Sequence, residues 1–200
     1  MIINDTLSLI PYQLENVISE EALNEYVELT YLNKSEIHQI YNLDDLEPDI
    51  LKQNIHYRFS VEQINKILPQ IHCNSFCDMI YRVFSSKQDG HLSFEDTLDL
   101  CSAFSMNCPR SVRAAWAFEI FDFDGDNQVS LDDLIEMVRR LAGTDEHGQD
   151  RIDRQQAKDV ARIILQEIDL SDAGNIAPQE FIQLLSKMPD FAHTFQFKIN

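Results

Sequence analysis

Apolar residues recur along most of this chain at three- and four-residue steps rather than in alternation. Ala114 to Phe121 is one such stretch and Leu134 to Leu141 another, with Leu134, Met137, Val138 and Leu141 on one helical face. Val160, Ile163 and Ile164 repeat the spacing ahead of Asp169. The starts of helices carry their own chemistry. Ser60 with Gln63, Ser93 with Asp96 and Ser130 with Asp133 each set a capping hydroxyl three residues before a side chain able to reach back. Asn33 with Glu36 does the same for a helix through about Leu43. With only five glycines in 200 residues, the pattern predicts an all-α protein of helix–loop–helix units.

Between the two central stretches lies Asp122 to Asp133, reading Asp-Phe-Asp-Gly-Asp-Asn-Gln-Val-Ser-Leu-Asp-Asp. Acidic groups at positions 1, 3 and 5, an apolar residue at 8 and an acidic group at 12 make a divalent-cation loop, because alternating positions turn oxygens inward around one hard ion. Asp122, Asp124, Asp126 and Asp133 are the expected carboxylate ligands, and Gln128 at position 7 offers its backbone carbonyl. Position 6 needs a left-handed backbone, and Asn127 is the next best residue there after glycine. Position 12 usually holds Glu, which grips Ca²⁺ through both oxygens. Asp133 is one methylene shorter, which moves the expected geometry toward six-coordination and Mg²⁺. Ser130, at position 9, can orient a ligating water or cap the exit helix.

The motif repeats. Forty-seven positions on, Asp169 to Glu180 holds Asp169 at 1, Gly174 at 6, Asn175 at 7, Ile176 at 8 and Glu180 at 12. Ser171 at position 3 is a weaker ligand, Ala173 offers none and Asp172 is displaced to position 4, so weak or lost binding is expected there. Upstream, Ser85 to Asp96 keeps Gly90 at 6, Leu92 at 8 and Asp96 at 12. Lys87 at its position 3 would set an ammonium beside any ion, which predicts a loop without metal. No loop is recognisable in the remaining quarter, where Asp44, Asp45, Glu47 and Asp49 read as solvated linker charges. Such loops pair through position 8, and β-branched Val129 and Ile176 suit a short bridge.

Charge narrows the partners. The chain carries 34 acidic and 16 basic residues, a net charge of −18, which disfavours nucleic acid and anionic membrane and favours divalent cations and basic peptides. Met1 to Gln13 lacks the basic start and apolar core of a secretory leader, and Met1-Ile2-Ile3 lacks the glycine that myristoylation requires, so no direct lipid anchor is expected. Cys73, Cys77, Cys101 and Cys108 sit among apolar residues and suit buried or half-buried thiols in a reducing, cytoplasmic setting. No G-x-S-x-G, phosphate loop or Cys/His pair suggests an enzyme.

These features together resemble the calcium- and integrin-binding protein family, relatives of calcineurin B built on EF-hands. Glu25 to Ile37 is similar to the family's opening helices. Val83-Phe84-Ser85 with Leu92 to Asp96, and Ala117 to Asp124, are similar to its centre, and Pro189 to Ala192 with Phe195 to its C-terminal extension. The resemblance implies two lobes of paired EF-hand helix–loop–helix units with short loop-pairing β-bridges, and metal only in the last two loops. It implies a third loop that ends in Asp and takes Mg²⁺ or Ca²⁺. It also implies binding of cytoplasmic helices of membrane proteins, either integrin α tails or transmembrane channel-like mechanotransduction proteins. Ser171, Ala173 and Ala177 depart from the family's fourth loop, which is normally its best Ca²⁺ site.

The expected organisation is an N-terminal lobe over 1–106 with two vestigial hands, a C-terminal lobe over 107–188 and an extension over 189–200. The expected partner groove uses Leu134, Met137, Val138, Leu141, Ile163 and Ile164, with Phe191 and Phe195 of the extension covering it until a target helix displaces them. The expected role is a Ca²⁺/Mg²⁺-binding regulatory adaptor, peripheral at the plasma membrane through its partner. The alternatives are a calcium-independent adaptor with one structural Mg²⁺ and a phosphatase regulatory subunit.

Overall fold

The computed structural model describes residues 18–42, 51, 54, 56–169 and 173–188. Among them ten helices follow in order: α1 Glu20–Leu29, α2 Lys34–Asn42, α3 Val61–Ile67, α4 Pro69–His72, α5 Cys77–Phe84, α6 Phe94–Ala103, α7 Arg110–Phe121, α8 Leu131–Ala142, α9 Arg154–Ile168 and α10 Pro178–Lys187. Strand structure among the described residues is confined to isolated bridges, including Phe59–Leu92 and Val129–Ile176. The fold is all-α.

The capping chemistry sets where helices begin. Ser60, Ser93 and Ser130 each accept a bond from the N3 amide while the N3 side chain bonds back to the cap. Asn33 and Glu36 exchange the same pair of bonds, at 2.8 and 3.0 Å, so two amides that a helix would otherwise leave unpaired are satisfied at each start. Asp153 opens α9 in the same way through Gln156.

Burial of the apolar faces produces two clusters. The first gathers Leu23, Ile37, Ile64, Ile80, Leu92, Phe94 and Leu98, and the second Phe118, Val129, Leu134, Ile135, Ile176 and Phe181. They meet on α7, which gives Ile120 to the first and Ala117 and Phe118 to the second. Arg113 of this helix is 2% exposed and donates through Nη2 to the carbonyls of Ser105 and Cys108 at 2.5 and 3.2 Å, satisfying backbone that the α6–α7 connection buries.

Polar side chains also tie the two halves. Arg82 of α5 donates to the carbonyls of Asp122 and Phe123, both at 2.5 Å. Arg140 of α8 donates to Asp78 at 2.6 Å and lies over the Phe123 ring, 4.7 Å from its centre. The thiols do not all follow expectation. Cys101 and Cys108 are buried and Cys77 half-buried, but Cys73 is exposed because it stands just past the end of the one-turn helix α4. Burial pushes the Cys101 and Cys108 thiols up, away from the reactive thiolate.

Candidate metal loops and a groove beside them

The loop at 122–133 sits between α7 and α8, and its backbone is held by its own carboxylates. Asp122 accepts from the amides of Gly125, Asp126 and Asn127 at 2.8, 3.2 and 2.9 Å. Asp126 accepts from the Gln128 amide at 2.9 Å. Asn127 has φ of +64°, the left-handed turn required at position 6. Oxygens of Asp122, Asp124 and Asp126 lie within 4.8 Å of one another, the one such group of three among the described residues. Burial, with the charge of Asp126 adding to it, raises the Asp122 carboxyl above its usual range against the pull of the backbone amides. A divalent cation would relieve that strain directly, so the donor set fits a hard, oxygen-seeking ion.

Of the four carboxylates expected as ligands, Asp122, Asp124 and Asp126 form that group. The Asp133 carboxylate is 4% exposed as a residue and is shared between the Phe123 amide at 3.1 Å and the Ser130 amide and hydroxyl at 2.8 and 2.6 Å. It therefore serves as the N3 partner of the cap in this arrangement, and Ser130 takes the capping role.

The fourth loop is joined to the third through Val129 and Ile176, whose amides and carbonyls exchange bonds at 3.0 and 2.9 Å. Beside that bridge the Asn175 side-chain nitrogen donates to the Gln128 side-chain oxygen. Asp169 accepts from the amides of Ala173 and Gly174 at 3.1 and 2.6 Å, and Glu180 from the Ala177 amide at 3.0 Å. Both acidic groups thus shape the loop, while Ser171 lies outside the described residues.

An apolar groove of about 880 Å³ opens beside these loops. Leu134, Met137, Leu141, Ile163 and Ile164 line it, although Leu134 is only 1% exposed and belongs equally to the core. Val138 does not line it and packs within the C-terminal cluster instead. Phe191 and Phe195 lie outside the described residues. Sequence reading missed the opposite wall, built by Phe76 and Ile80 of the N-terminal half, and the end wall of Leu184, Leu185 and Met188 on and after α10. The 3.6-residue period of α10 could have shown the latter. Nothing local connects residues near 76 with those near 163.

The loop of the first hand was also missed. Phe59 pairs with Leu92 as Val129 pairs with Ile176, which places Phe59 at position 8 of a loop, Ser60 at 9 and Gln63 at 12. Ser60 and Gln63, read only as a helix start, were the available signal.

An EF-hand domain-pair model matches residues 111–186, the span of both C-terminal loops. Calcium and integrin-binding family member 2 of Homo sapiens is 27% identical over 92% of this chain and 98% of its own length. The protein of the same name from Drosophila melanogaster is 28% identical over 90% and 96%, and human family member 3 is 27% identical over 92% and 98%. Helices, paired loops and end-to-end likeness agree: residues 111–186 match an EF-hand domain pair, and the chain is similar along nearly its whole length to calcium and integrin-binding family members.

Proposed function

We propose that this chain is a calcium- and magnesium-binding regulatory adaptor that holds an amphipathic helix from the cytoplasmic segment of a membrane protein in its apolar groove. The groove carries the reading. Leu141 and Ile163 are 63% and 61% exposed on its walls and Met188 47% exposed at its end, more apolar surface than a closed core leaves to water. A helix-in-groove partner presents apolar residues at i, i+3, i+4 and i+7 to such walls, and Met side chains adapt to varied partners. The net charge of −18 favours a partner helix with basic flanks. The relatives' names point to integrins, and an integrin α tail or a transmembrane channel-like protein is the proposed partner class. The proposed metal ligands are Asp122, Asp124, Asp126, the Gln128 carbonyl and Asp133, with Asp169, Ser171, Asn175 and Glu180 forming a weaker second set. No described helix is long and apolar enough to cross a membrane, and attachment through the partner is proposed.

The direct test titrates the chain with a helical peptide from an integrin α cytoplasmic tail. Leu141→Asp with Ile163→Asp should weaken binding about 100-fold, while these exposed positions shift stability by only about 0.5 kcal/mol. Unchanged affinity would remove the groove from the reading.

Metal is tested separately, and the chain offers a convenient reporter. Its five glycines include Gly90, Gly125 and Gly174, one in each recognisable loop, so ¹⁵N-glycine labelling resolves the loops individually by NMR. Mg²⁺ should move Gly125 first. Ca²⁺ that then displaces it and also moves Gly174 identifies a switch, whereas Mg²⁺ that Ca²⁺ cannot displace identifies a constitutive adaptor with structural metal.

A further inference from the structure

The second loop, Ser85 to Asp96, is folded like the third although its sequence argues against metal. Both turn left-handed at positions 4 and 6: Gln88 and Gly90 at φ +54° and +74°, Gly125 and Asn127 at +75° and +64°. The internal bonds also correspond. His91 donates its amide to Asp89 at 3.0 Å as Gln128 does to Asp126 at 2.9 Å. Ser93 donates to Asp96 at 2.9 Å as Ser130 does to Asp133 at 2.8 Å. A backbone that gathers oxygens around a centre needs something positive at that centre.

Arg58 supplies it. Its Nη2 donates to Asp89 at 2.8 Å, to the His91 carbonyl at 2.6 Å and to the Ser85 hydroxyl at 3.3 Å. Its Nη1 donates to Asp96 at 3.1 Å and to the Ser86 hydroxyl at 3.3 Å. Four of these groups stand at loop positions 1, 5, 7 and 12, where a metal loop places oxygens toward its ion. The delivery is structural. Arg58 directly precedes Phe59, which is fixed against Leu92 by bonds of 2.7 and 3.0 Å, so the loop-pairing bridge aims the guanidinium into its neighbour. A planar, permanently charged fork with five donors suits several oxygens at once. Asp96, only 6% exposed, would otherwise be a buried charge beside another carboxylate.

We propose that Arg58 is the resident cation of the second loop, its guanidinium standing where a divalent ion stands in a metal-binding loop. The second loop therefore keeps its geometry without metal and is indifferent to Mg²⁺ and Ca²⁺. Lys87, at position 3, is exposed and is the lesser obstacle to an ion. Removing Arg58 should uncover a latent site.

The test uses the full chain with ¹⁵N-labelled glycine. In the native protein the Gly90 amide should stay still under millimolar Mg²⁺ or Ca²⁺. Arg58→Ala should lower Tm in metal-free buffer by about 3 °C, render Gly90 responsive to Ca²⁺ and recover part of the lost Tm when Ca²⁺ is added. Adding Lys87→Asp should tighten that response at least tenfold. Arg58→Lys, which keeps the charge without the fork, should fold and leave Gly90 silent, a result readable even if Arg58→Ala does not fold. Movement of Gly90 in the native chain overturns the proposal. So does an Arg58→Ala/Lys87→Asp chain that folds with Gly90 silent, because Arg58 would then be an ordinary ion-pair partner.

Discussion

Replacing Asp122 by Asn is expected to weaken metal binding at the third loop by about 100-fold, since it removes a ligand's negative charge where even supporting contacts cost 10–100-fold. Asp122 has two jobs. It holds the loop's turn by accepting three backbone amides, and it brings charge to the cluster with Asp124 and Asp126. Asn keeps an acceptor for the turn but loses the charge, and Ala loses both. Metal-free Asp122→Asn should accordingly melt between the native chain and the Ala variant, because its one oxygen can keep the bonds from Gly125 and Asp126 while its nitrogen cannot accept from Asn127. Asp122→Ala should in addition lose about 1–3 kcal/mol through unpaired loop amides. The check is the Gly125 amide in a Mg²⁺ titration together with urea midpoints of both variants. A Gly125 response in Asp122→Asn at native affinity would mean that the ion is not held by this loop.

The second large effect concerns stability. Phe94→Ala should cost about 3–5 kcal/mol, a large part of the 5–15 kcal/mol that holds a typical domain. Phe94 is 0% exposed and meets Tyr26 and Tyr41 edge-on, with ring centres 5.6 and 5.7 Å away and planes near perpendicular. It follows the Ser93 cap directly, so it joins α1, α2 and the second loop in one contact set. The loss should appear as a lower urea midpoint. It should also reach the groove, because Phe76 and Ile80 belong to the same cluster as Phe94 and form one groove wall. Peptide affinity should therefore fall in Phe94→Ala although the residue touches no partner. A variant with an unchanged urea midpoint would show that this cluster does not bear the N-terminal half.

Local chemistry was legible because it acts over short separations. A twelve-residue register identified Asp122 to Asp133, Asp169 to Glu180 and Ser85 to Asp96, and the caps at Ser60, Ser93 and Ser130 stand where a hydroxyl precedes its N3 partner. The bridge of Val129 with Ile176 followed from matching two position-8 residues. The loop of the first hand stayed hidden because it lacks the acidic alternation, leaving only Phe59 and the Ser60–Gln63 cap to mark it.

By itself, the sequence determined the helices, the acidic loop over 122–133 and the surplus negative charge, since each depends on neighbours within a few turns or on a sum. Tertiary structure alone decided that Arg58 reaches Asp89 and Asp96, 31 and 38 residues away. It also decided that α5 walls a groove begun by α8 and α9. Those outcomes depend on which buried faces come to rest together. Burial is non-directional, so periodicity shows that a face will be covered without showing what will cover it.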